Sequence, residues 1–309
     1  MVNKRWFILK ICSGLIGSII ILSFCYKLIC NENHNYKDIA NIRYVVESEA
    51  DRKEEEPLDA QIDKVWQAIP GYDGVRINKE RTIAETMQAD HINWVYEPIS
   101  PNKNLKDLGP AAIYRGNSKK RAAGLMINVS WGKEYLSDIL YHLKEAGAKA
   151  TFFFEGRFIE ESPDIVKLVA QEGHELANHA YSHPLCSKLT EEQIAVEIDK
   201  TEEALKKTIG YGSKWFAPPA GDCNNRVLQV AYKRQMGVTM FMVDTIDWRK
   251  DASPDIVFQR VNKGLCAGAL VLAHPTEHTV KALPSILKLG PAKGLTWLTV
   301  SDLLSSHRC

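Results

Sequence analysis

Two histidines in the middle of the chain have the spacing of a metal clamp. His179 and His183 form an H-x-x-x-H motif. On a helical turn this spacing places both imidazoles on one face, where they can bind one metal ion. Three more clusters of polar or turn-forming residues follow apolar runs: Pro218-Pro219 with Gly221, Asp244-x-x-Asp247-Trp248, and Leu272-Ala273-His274-Pro275. Packing alone does not explain four such clusters at four predicted strand ends, so together they predict a functional site.

The elements that must position these clusters are short apolar runs alternating with amphipathic segments. We predict strands at 124–129, 150–154, 215–216, 239–243 and 269–272, and helices that include 135–146, 162–172 and 190–209. Repeated strand–helix units predict a parallel sheet, and about seven units without a glycine-rich nucleotide loop predict an α/β fold of the deformed (β/α) barrel type. In such a barrel the chemistry lies at the carboxyl ends of the strands.

The N-terminus predicts a membrane segment. An apolar run over 11–30, within residues 1–30, follows Lys4, Arg5 and Lys10 and approaches the roughly 20 residues that a transmembrane helix needs. A cleaved signal peptide is the alternative, although no small-x-small cleavage site follows the run. The basic flank favours the cytoplasmic side, so we expect a single-pass protein of the cell membrane with the remaining chain extracytoplasmic.

Three further segments are predicted after this anchor. Residues 31–56 are polar, which predicts a linker. Residues 57–117 are predicted to form a small α/β domain with a helix over 58–69 and a strand over 92–99. Residues 118–309 form the predicted barrel. The 309-residue chain has a net charge of +1, which argues against a nucleic-acid partner, and its seven cysteines are too few for a disulfide-built scaffold.

Several short motifs between residues 120 and 307 occur together in one known family. They are Ala150-Thr151-Phe152-Phe153, Gly173-His174-Glu175, Asn178-His179, Ser182-His183-Pro184, Phe216, Pro218-Pro219, Gly221, Asp244-x-x-Asp247-Trp248 and Leu272-x-His274. In this combination they resemble the polysaccharide deacetylases of carbohydrate esterase family 4, also called NodB-homology proteins. The N-terminal anchor, Ile127-Asn128-Val129-Ser130-Trp131-Gly132 and Ala273-His274-Pro275-Thr276 are similar to the sporulation-associated branch of endospore-forming bacteria.

The resemblance implies removal of N-acetyl groups from an amino-sugar glycan of the cell wall, either peptidoglycan or a chitin-like polymer. In the family a divalent metal, usually zinc, holds the attacking water, an Asp takes its proton and a His protonates the leaving amine. By position, the resemblance assigns the metal to His179 and His183, the acid to His274, the orienting carboxylate to Asp247 and the oxyanion donor to the Ala220 N–H.

The first motif departs from the family pattern. Asn128 stands where the base Asp is expected, Val129 where the third metal ligand is expected, and Ala217 where an Arg pairs with the base. Losing a general base costs about two to four orders of magnitude in rate. Two hypotheses therefore stay open: a deacetylase of reduced or altered activity, and an inactive glycan-binding or scaffolding protein.

Three other residues are candidate surrogates. Glu155 follows the predicted strand 150–154 and could act as base or ligand, or it could face solvent or pair with Arg157. Cys186 and Cys223 flank the predicted site, and they could complete a zinc site, form a disulfide, or be two unrelated buried thiols. We favour the last alternative, two unrelated buried thiols.

Overall fold

Apolar strands and capped helices alternate through residues 38–308, the part of the chain that the computed structural model describes. The anchor predicted over 11–30 and the terminal Cys309 lie outside these residues. Within 38–308 no helix combines the length and the apolar character that crossing a bilayer requires. The chain divides into one unit containing residues 38–54 and 76–97 and another containing 55–75 and 98–308.

The helices and strands have the following bounds. The α-helices are α1 (Ile39–Lys53), α2 (Lys79–Thr86), α3 (Lys133–Glu145), α4 (Gly156–Glu161), α5 (Pro163–Gln171), α6 (Glu191–Ile209), α7 (Asn225–Lys233), α8 (Pro254–Gly264), α9 (Glu277–Ala292) and α10 (Val300–Leu304). The strands are β1 (Gln61–Asp63), β2 (Gln67–Ile69), β3 (Gly74–Ile77), β4 (Tyr96–Ile99), β5 (Ala112–Ile113), β6 (Ala122–Val129), β7 (Thr151–Phe154), β8 (Glu175–Asn178), β9 (Trp215–Phe216), β10 (Gly237–Thr239), β11 (Val243–Asp244), β12 (Leu270–Ala273) and β13 (Thr296–Leu298).

Most of these strands form one sheet in the larger unit. Its order is β1-β2-β5-β10-β9-β8-β7-β6-β12-β11, with β13 pairing with β6. Every pairing from β5 to β11 along this path is parallel, and so is the β13–β6 pairing, as the strand–helix alternation predicts. The sheet curls into a half-barrel whose end strands, β1 and β11, do not pair with each other.

Strand β6 sets the two faces of this sheet. All eight of its residues are buried. Leu125, Ile127 and Val129 pack in the large cluster that also contains apolar side chains of the flanking helices, whereas Met126 packs in the smaller cluster on the other face. Because side chains alternate along a strand, Asn128 continues the Met126 face and Val129 the opposite face.

Helix α6 begins where the sequence predicts. The Thr190 side chain accepts from the Gln193 N–H, and the Gln193 side chain accepts from the Thr190 N–H. This capping box satisfies two donors at the start of the helix. The prediction of Thr190 as N-cap is confirmed.

The predicted helix over 58–69 is wrong. These residues form the antiparallel strands β1 and β2, with Gln61 opposite Ile69. The Asp63 side chain accepts from the backbone N–H groups of Val65 and Trp66 at 2.8 and 2.7 Å, which stabilises a turn instead of a helix. Ile62, Val65 and Trp66 have helical spacing, yet Ile62 and Val65 are exposed, so the spacing does not mark a buried face.

The smaller unit is built on two helices. Helix α1 lies within the segment predicted to be a polar linker, and its buried Ile42 and Val46 pack with Ile83 of α2. Asp38 caps α1 and Asn78 caps α2 through their side chains. Six of the 15 residues of α1 are charged, which is consistent with a helix that contributes only one face to a core.

Candidate functional site

A cleft of about 440 Å³ opens at the carboxyl ends of the parallel strands. Loops and strand ends from β6, β8, β9, β11 and β12 line it, as the predicted barrel chemistry requires. Its lining includes Asn128, Trp131, His179, His183, Ala217, Ala220, Asp244, Trp248 and His274. The structure therefore brings together residues that are almost 150 positions apart in the chain.

The H-x-x-x-H motif does not lie on a helical turn, contrary to the prediction. His179 follows β8 directly, and the chain reaches His183 through a loop with positive φ at Ala180 (62°) and at His183 (56°). The two imidazoles are nevertheless close, with ring centroids 5.2 Å apart. The loop, rather than helical periodicity, makes them neighbours.

Helix α6 holds this loop in place. The Glu197 carboxylate accepts from the backbone N–H groups of Tyr181 and Ser182 at 2.9 and 2.7 Å, and from the Ser182 hydroxyl at 2.8 Å. At the start of the loop, the Asn178 side chain accepts from the Ala180 N–H at 2.9 Å. These bonds substitute for the regular hydrogen bonds that the irregular backbone lacks.

His179 is a neutral imidazole held in one orientation. Its Nδ1 lies 2.7 Å from the Ala217 carbonyl oxygen. Because a carbonyl oxygen only accepts, Nδ1 carries the hydrogen and Nε2 keeps a free lone pair. Burial, with a smaller effect of His183, lowers the pKa of His179 to about 3. This arrangement is typical of an imidazole that is prepared to bind a metal through Nε2.

Asp247 and His274 form a hydrogen-bonded pair, and His274 lines the cleft. The Asp247 carboxylate is fully enclosed and accepts from the His274 backbone N–H at 2.6 Å and from its Nδ1 at 2.8 Å. The Thr279 hydroxyl also donates to this carboxylate. The pair fixes the ring of His274, which lies parallel to Trp131 with centroids 6.2 Å apart.

Two residues with positive φ, Gly132 and Ala220, complete the cleft. Gly132, with φ of 78°, lies so near the Pro275 carbonyl that an added Cβ would sit 2.1 Å from its oxygen. This glycine lets the loop after β6 pack against the loop that carries His274. Ala220, in the Pro-Pro loop after β9, has φ of 54° and lines the cleft, so the N–H predicted as oxyanion donor belongs to a residue of the site.

The end of β6 differs from the rest of the site. Asn128 lines the cleft and is only 8% exposed, and its Oδ1 has no hydrogen-bond partner among residues 38–308. Val129 is completely buried in the large apolar cluster and is not part of the lining. Ala217 is buried and gives its carbonyl to His179.

The three candidate surrogates lie outside the lining of the cleft. Glu155 is buried next to β6, with its N–H donating to the Val129 carbonyl, and burial raises the pKa of its carboxyl. Cys186 and Cys223 are free thiols of a small apolar cluster, and burial raises their pKa values to about 12 and about 11. Cys186 and Cys223 are not joined in a disulfide, and they belong to no group of three potential metal-binding side chains within residues 38–308.

Comparisons with known proteins agree with this geometry. Residues 115–241 match the family model described as polysaccharide deacetylase. The YlxY protein of Bacillus subtilis is 40% identical over 258 residues, which cover 82% of this chain and 81% of that protein. A peptidoglycan-N-acetylglucosamine deacetylase of Bacillus cereus is 32% identical over 203 residues, 64% of this chain and 74% of that protein.

The chain belongs to the polysaccharide deacetylase family.

One solved structure resembles this chain over most of its length. The wild-type BA3943 protein of Bacillus anthracis, described as a CE4 family pseudoenzyme, aligns with a TM-score of 0.81 at 36% identity, over 86% of this chain and 96% of that chain. A BA3943 mutant is described as having restored enzymatic activity. The protein is therefore a deacetylase-like member of carbohydrate esterase family 4.

The deacetylase family implies a bound divalent metal, but this site offers an incomplete set of ligands for it. His179 and His183 supply two nitrogens, whereas catalytic zinc sites use three protein ligands. Between residues 38 and 308 no three side chains of His, Cys, Asp or Glu are grouped so that they could hold one ion. Glu155, Cys186 and Cys223 do not complete the site here, and the residues present do not fit a catalytic metal.

Sequence reasoning missed two residues of this deacetylase-like site. Glu197 holds the His183 loop, and Thr279 donates to Asp247, yet neither residue belongs to one of the motifs that mark the site. One signal existed for Thr279, because it occupies the third helical position after the N-cap Thr276, which accepts from its N–H. No pattern in the sequence points to Glu197.

Proposed function

We propose that the protein binds N-acetylated amino-sugar glycans of the cell envelope and has a strongly reduced capacity to hydrolyse them. The observation that carries this proposal is the end of β6, where an amide and a buried alkyl group replace a base and a metal ligand. The cleft itself is intact, with His274, Asp247 and the Pro-Pro loop in place. Relatives described as peptidoglycan deacetylases and as a CE4 pseudoenzyme support both parts of the proposal.

The deciding experiment measures binding and hydrolysis on one preparation. Purified protein is titrated with a chitooligosaccharide and with peptidoglycan fragments, and acetate release is followed with added zinc or cobalt. We expect binding, with acetate release about two to four orders of magnitude below that of an active relative, because the base is missing. Acetate release at the rate of an active relative would replace the proposal with that of a competent deacetylase, and absence of binding would refute it.

Zinc is proposed as a weakly held ion at His179 and His183. Two imidazoles without a carboxylate give fewer bonds than a catalytic site requires. We expect much less than one zinc per chain after dialysis, and loss of the remainder in the double variant His179→Ala/His183→Ala. Stoichiometric zinc that survives this double change would show a different site.

The location is proposed from the sequence. Residues 11–30 anchor the protein in the cell membrane and the deacetylase-like unit lies outside, where cell-wall glycan is available. Protease added to intact protoplasts should degrade the main body, whereas protection of the whole protein would refute this orientation. A role in sporulation, proposed from the similarity to the sporulation-associated branch, predicts expression confined to sporulating cells.

A further inference from the structure

A second cavity, of about 570 Å³, lies at the amino ends of the parallel strands, away from the cleft. Its lining includes Trp215 and Gly237, the first residues of β9 and β10, and residues 109–111, which precede β5. These three strands are neighbours in the sheet. At the other ends of β9 and β10, Ala217 and Thr239 line the cleft, so the two sites are separate. The volume of the second cavity lies within the roughly 300–1,000 Å³ of small-molecule sites.

Two aromatic side chains of this cavity are held in place by hydrogen bonds. Trp215 Nε1 donates to the Ser301 hydroxyl at 2.8 Å, and the Tyr232 hydroxyl donates to the Lys106 carbonyl at 3.3 Å. A Cβ added at Gly237 would lie 2.4 Å from the Trp215 ring, so glycine allows the ring to lie at the start of β10. Because their polar atoms are engaged, both aromatic groups offer carbon surface to the cavity.

Aliphatic side chains supply most of the remaining surface of this cavity. They are Leu105, Ile113, Leu228, Met236 and Val238. A sugar or a nucleotide would lose hydrogen bonds to water against these walls, because alkyl groups return none. The walls therefore favour a ligand whose main part is hydrocarbon.

The charged side chains of the lining are cationic. Lys106 and Lys214 are exposed, and their ammonium groups form no hydrogen bond or ion pair with another residue of 38–308. No described Asp or Glu belongs to the lining, and the Asp107 carboxylate, next to Lys106 in the chain, accepts from the Asn104 N–H at 2.8 Å. In a chain whose net charge is +1, this is a local excess of positive charge. Two ammonium groups beside an apolar cavity are complementary to an anion.

We propose that this cavity binds an apolar organic acid, with its carboxylate at Lys106 and Lys214 and its hydrocarbon part against Trp215 and Tyr232. Both lysines are exposed, so the carboxylate keeps part of its hydration and avoids the desolvation penalty of a buried ion pair. The hydrocarbon part leaves water, which supplies most of the affinity. The ligand occupies a site outside the cleft, so this inference does not depend on glycan binding.

Equilibrium dialysis of the full chain in lipid nanodiscs tests the inference, with empty nanodiscs as the blank. The probes are 1-naphthylacetate and its uncharged isostere 1-naphthylacetamide, at neutral pH and low ionic strength. We expect saturable binding of one acid per chain, and binding of the amide at least about fivefold weaker, the scale of a favourable exposed ion pair. Raising the salt concentration to about 1 M should reduce this difference, because salt screens exposed charges.

A double lysine variant tests the position of the carboxylate. Lys106→Gln/Lys214→Gln removes both charges, so the acid should bind within about twofold of the amide, while the affinity for the amide stays unchanged. Lys263→Gln/Lys288→Gln is the matched control, because it changes the net charge equally at exposed positions outside the lining. This control should keep the wild-type ratio of the two affinities.

A cavity-filling variant tests the position of the hydrocarbon part. Leu228 is a half-buried residue of α7 that lines the cavity, and Leu228→Trp places a larger side chain there. We expect both probes to bind at least about tenfold more weakly, because a filled cavity leaves no room for the naphthalene ring. Thermal unfolding confirms that the variant is folded, and Ala111→Leu, at another half-buried position of the lining, replaces it where it is not.

Three results would overturn the inference. One is equal affinity of wild type for the acid and the amide, or an unchanged ratio in the double lysine variant. Another is undiminished binding by a folded cavity-filling variant, which would place the ligand elsewhere. The third is the absence of saturable binding to wild type, which would leave the cavity to another occupant such as a second copy of the chain.

Discussion

The cleft has two halves that differ in how their side chains are tied to the fold. In one half, made by the loops after β8, β11 and β12, the functional groups also hold loops together: Asp247 accepts three hydrogen bonds, and His179 bonds Ala217. In the other half, at the end of β6, Asn128 Oδ1 is unpaired and Val129 belongs to the apolar core. The first half serves stability as well as chemistry, whereas in the second half Asn128 can change with little cost to folding but Val129 cannot.

The largest effect is expected from restoring the missing functional groups of the second half, at the end of β6. The triple variant Asn128→Asp/Val129→Asp/Ala217→Arg supplies the three groups that the family has at these positions. The carboxylate introduced by Val129→Asp binds the metal only if the end of β6 turns that side chain out of the core toward His179 and His183. We expect acetate release from a chitooligosaccharide, with zinc, to rise by about two to four orders of magnitude over wild type. The variant without Ala217→Arg should gain less, because a desolvated carboxylate without a partner has a raised pKa.

The controls for this variant test whether the residues of the first half, such as His274, support catalysis. Adding His274→Ala to the triple variant should remove the gained activity. Val129→Asp alone places a carboxylate in the core, so it should lower stability in EDTA and regain part of it with zinc. A folded triple variant that binds zinc and releases no acetate would show that the first half is also inactive.

The second test removes the buried carboxylate that supports the first half of the cleft. Asp247→Asn keeps the shape but places an amide NH₂ among donors that need an acceptor. We expect a loss of about 3 kcal/mol in the free energy of unfolding, measured by urea denaturation. Asp244→Asn is the matched control, because Asp244 is half-buried and has a single side-chain acceptor bond, so its loss should be much smaller. Equal losses would contradict the comparison.

A third test uses a buried histidine that precedes β8 and lies outside the cleft. His174 Nδ1 accepts from the Ala150 N–H, and burial lowers its pKa to about 4, against 6.5 in the unfolded chain. Between these values the unfolded chain binds more protons, so stability falls as pH decreases from 6.5 to 4. His174→Gln should flatten this dependence by up to about 1.4 kcal/mol per pH unit. Urea denaturation at pH 7, 5.5 and 4.5 measures it, and an unchanged slope would assign the acid sensitivity elsewhere.

The smallest test concerns the support of the His183 loop. Glu197→Gln keeps one acceptor oxygen for the backbone N–H groups of Tyr181 and Ser182 but removes the charge. We expect a loss of about 1 kcal/mol in the free energy of unfolding. Glu203→Gln, on the same helix α6, should change it by less than about 0.5 kcal/mol. A similar effect of both changes would show that the Glu197 bonds do not support the loop.

Local sequence patterns predict most of the secondary structure of the larger unit. Apolar runs such as Phe152-Phe153-Phe154 and the capped start of α6 at Thr190 place strands and a helix where they occur. The prediction fails over 58–69, because hydrophobic spacing alone does not show whether a face is buried, and the Asp63 turn competes with the helix. The domain boundaries at 56 and 117 stay predictions, and the structure places β1, β2 and β5 in the large sheet.

The family, the α/β alternation and the groups at each strand end, including the missing base and ligand, can be predicted from the amino-acid sequence. These features depend on residue type and on short-range spacing, which a single chain displays directly. The folded structure was needed to show that His179 and His183 meet through a loop, that Glu197 and Thr279 support the cleft, and that Asn128 faces it while Val129 enters the core. Those relations depend on strand register and on contacts between distant segments, which no local pattern encodes.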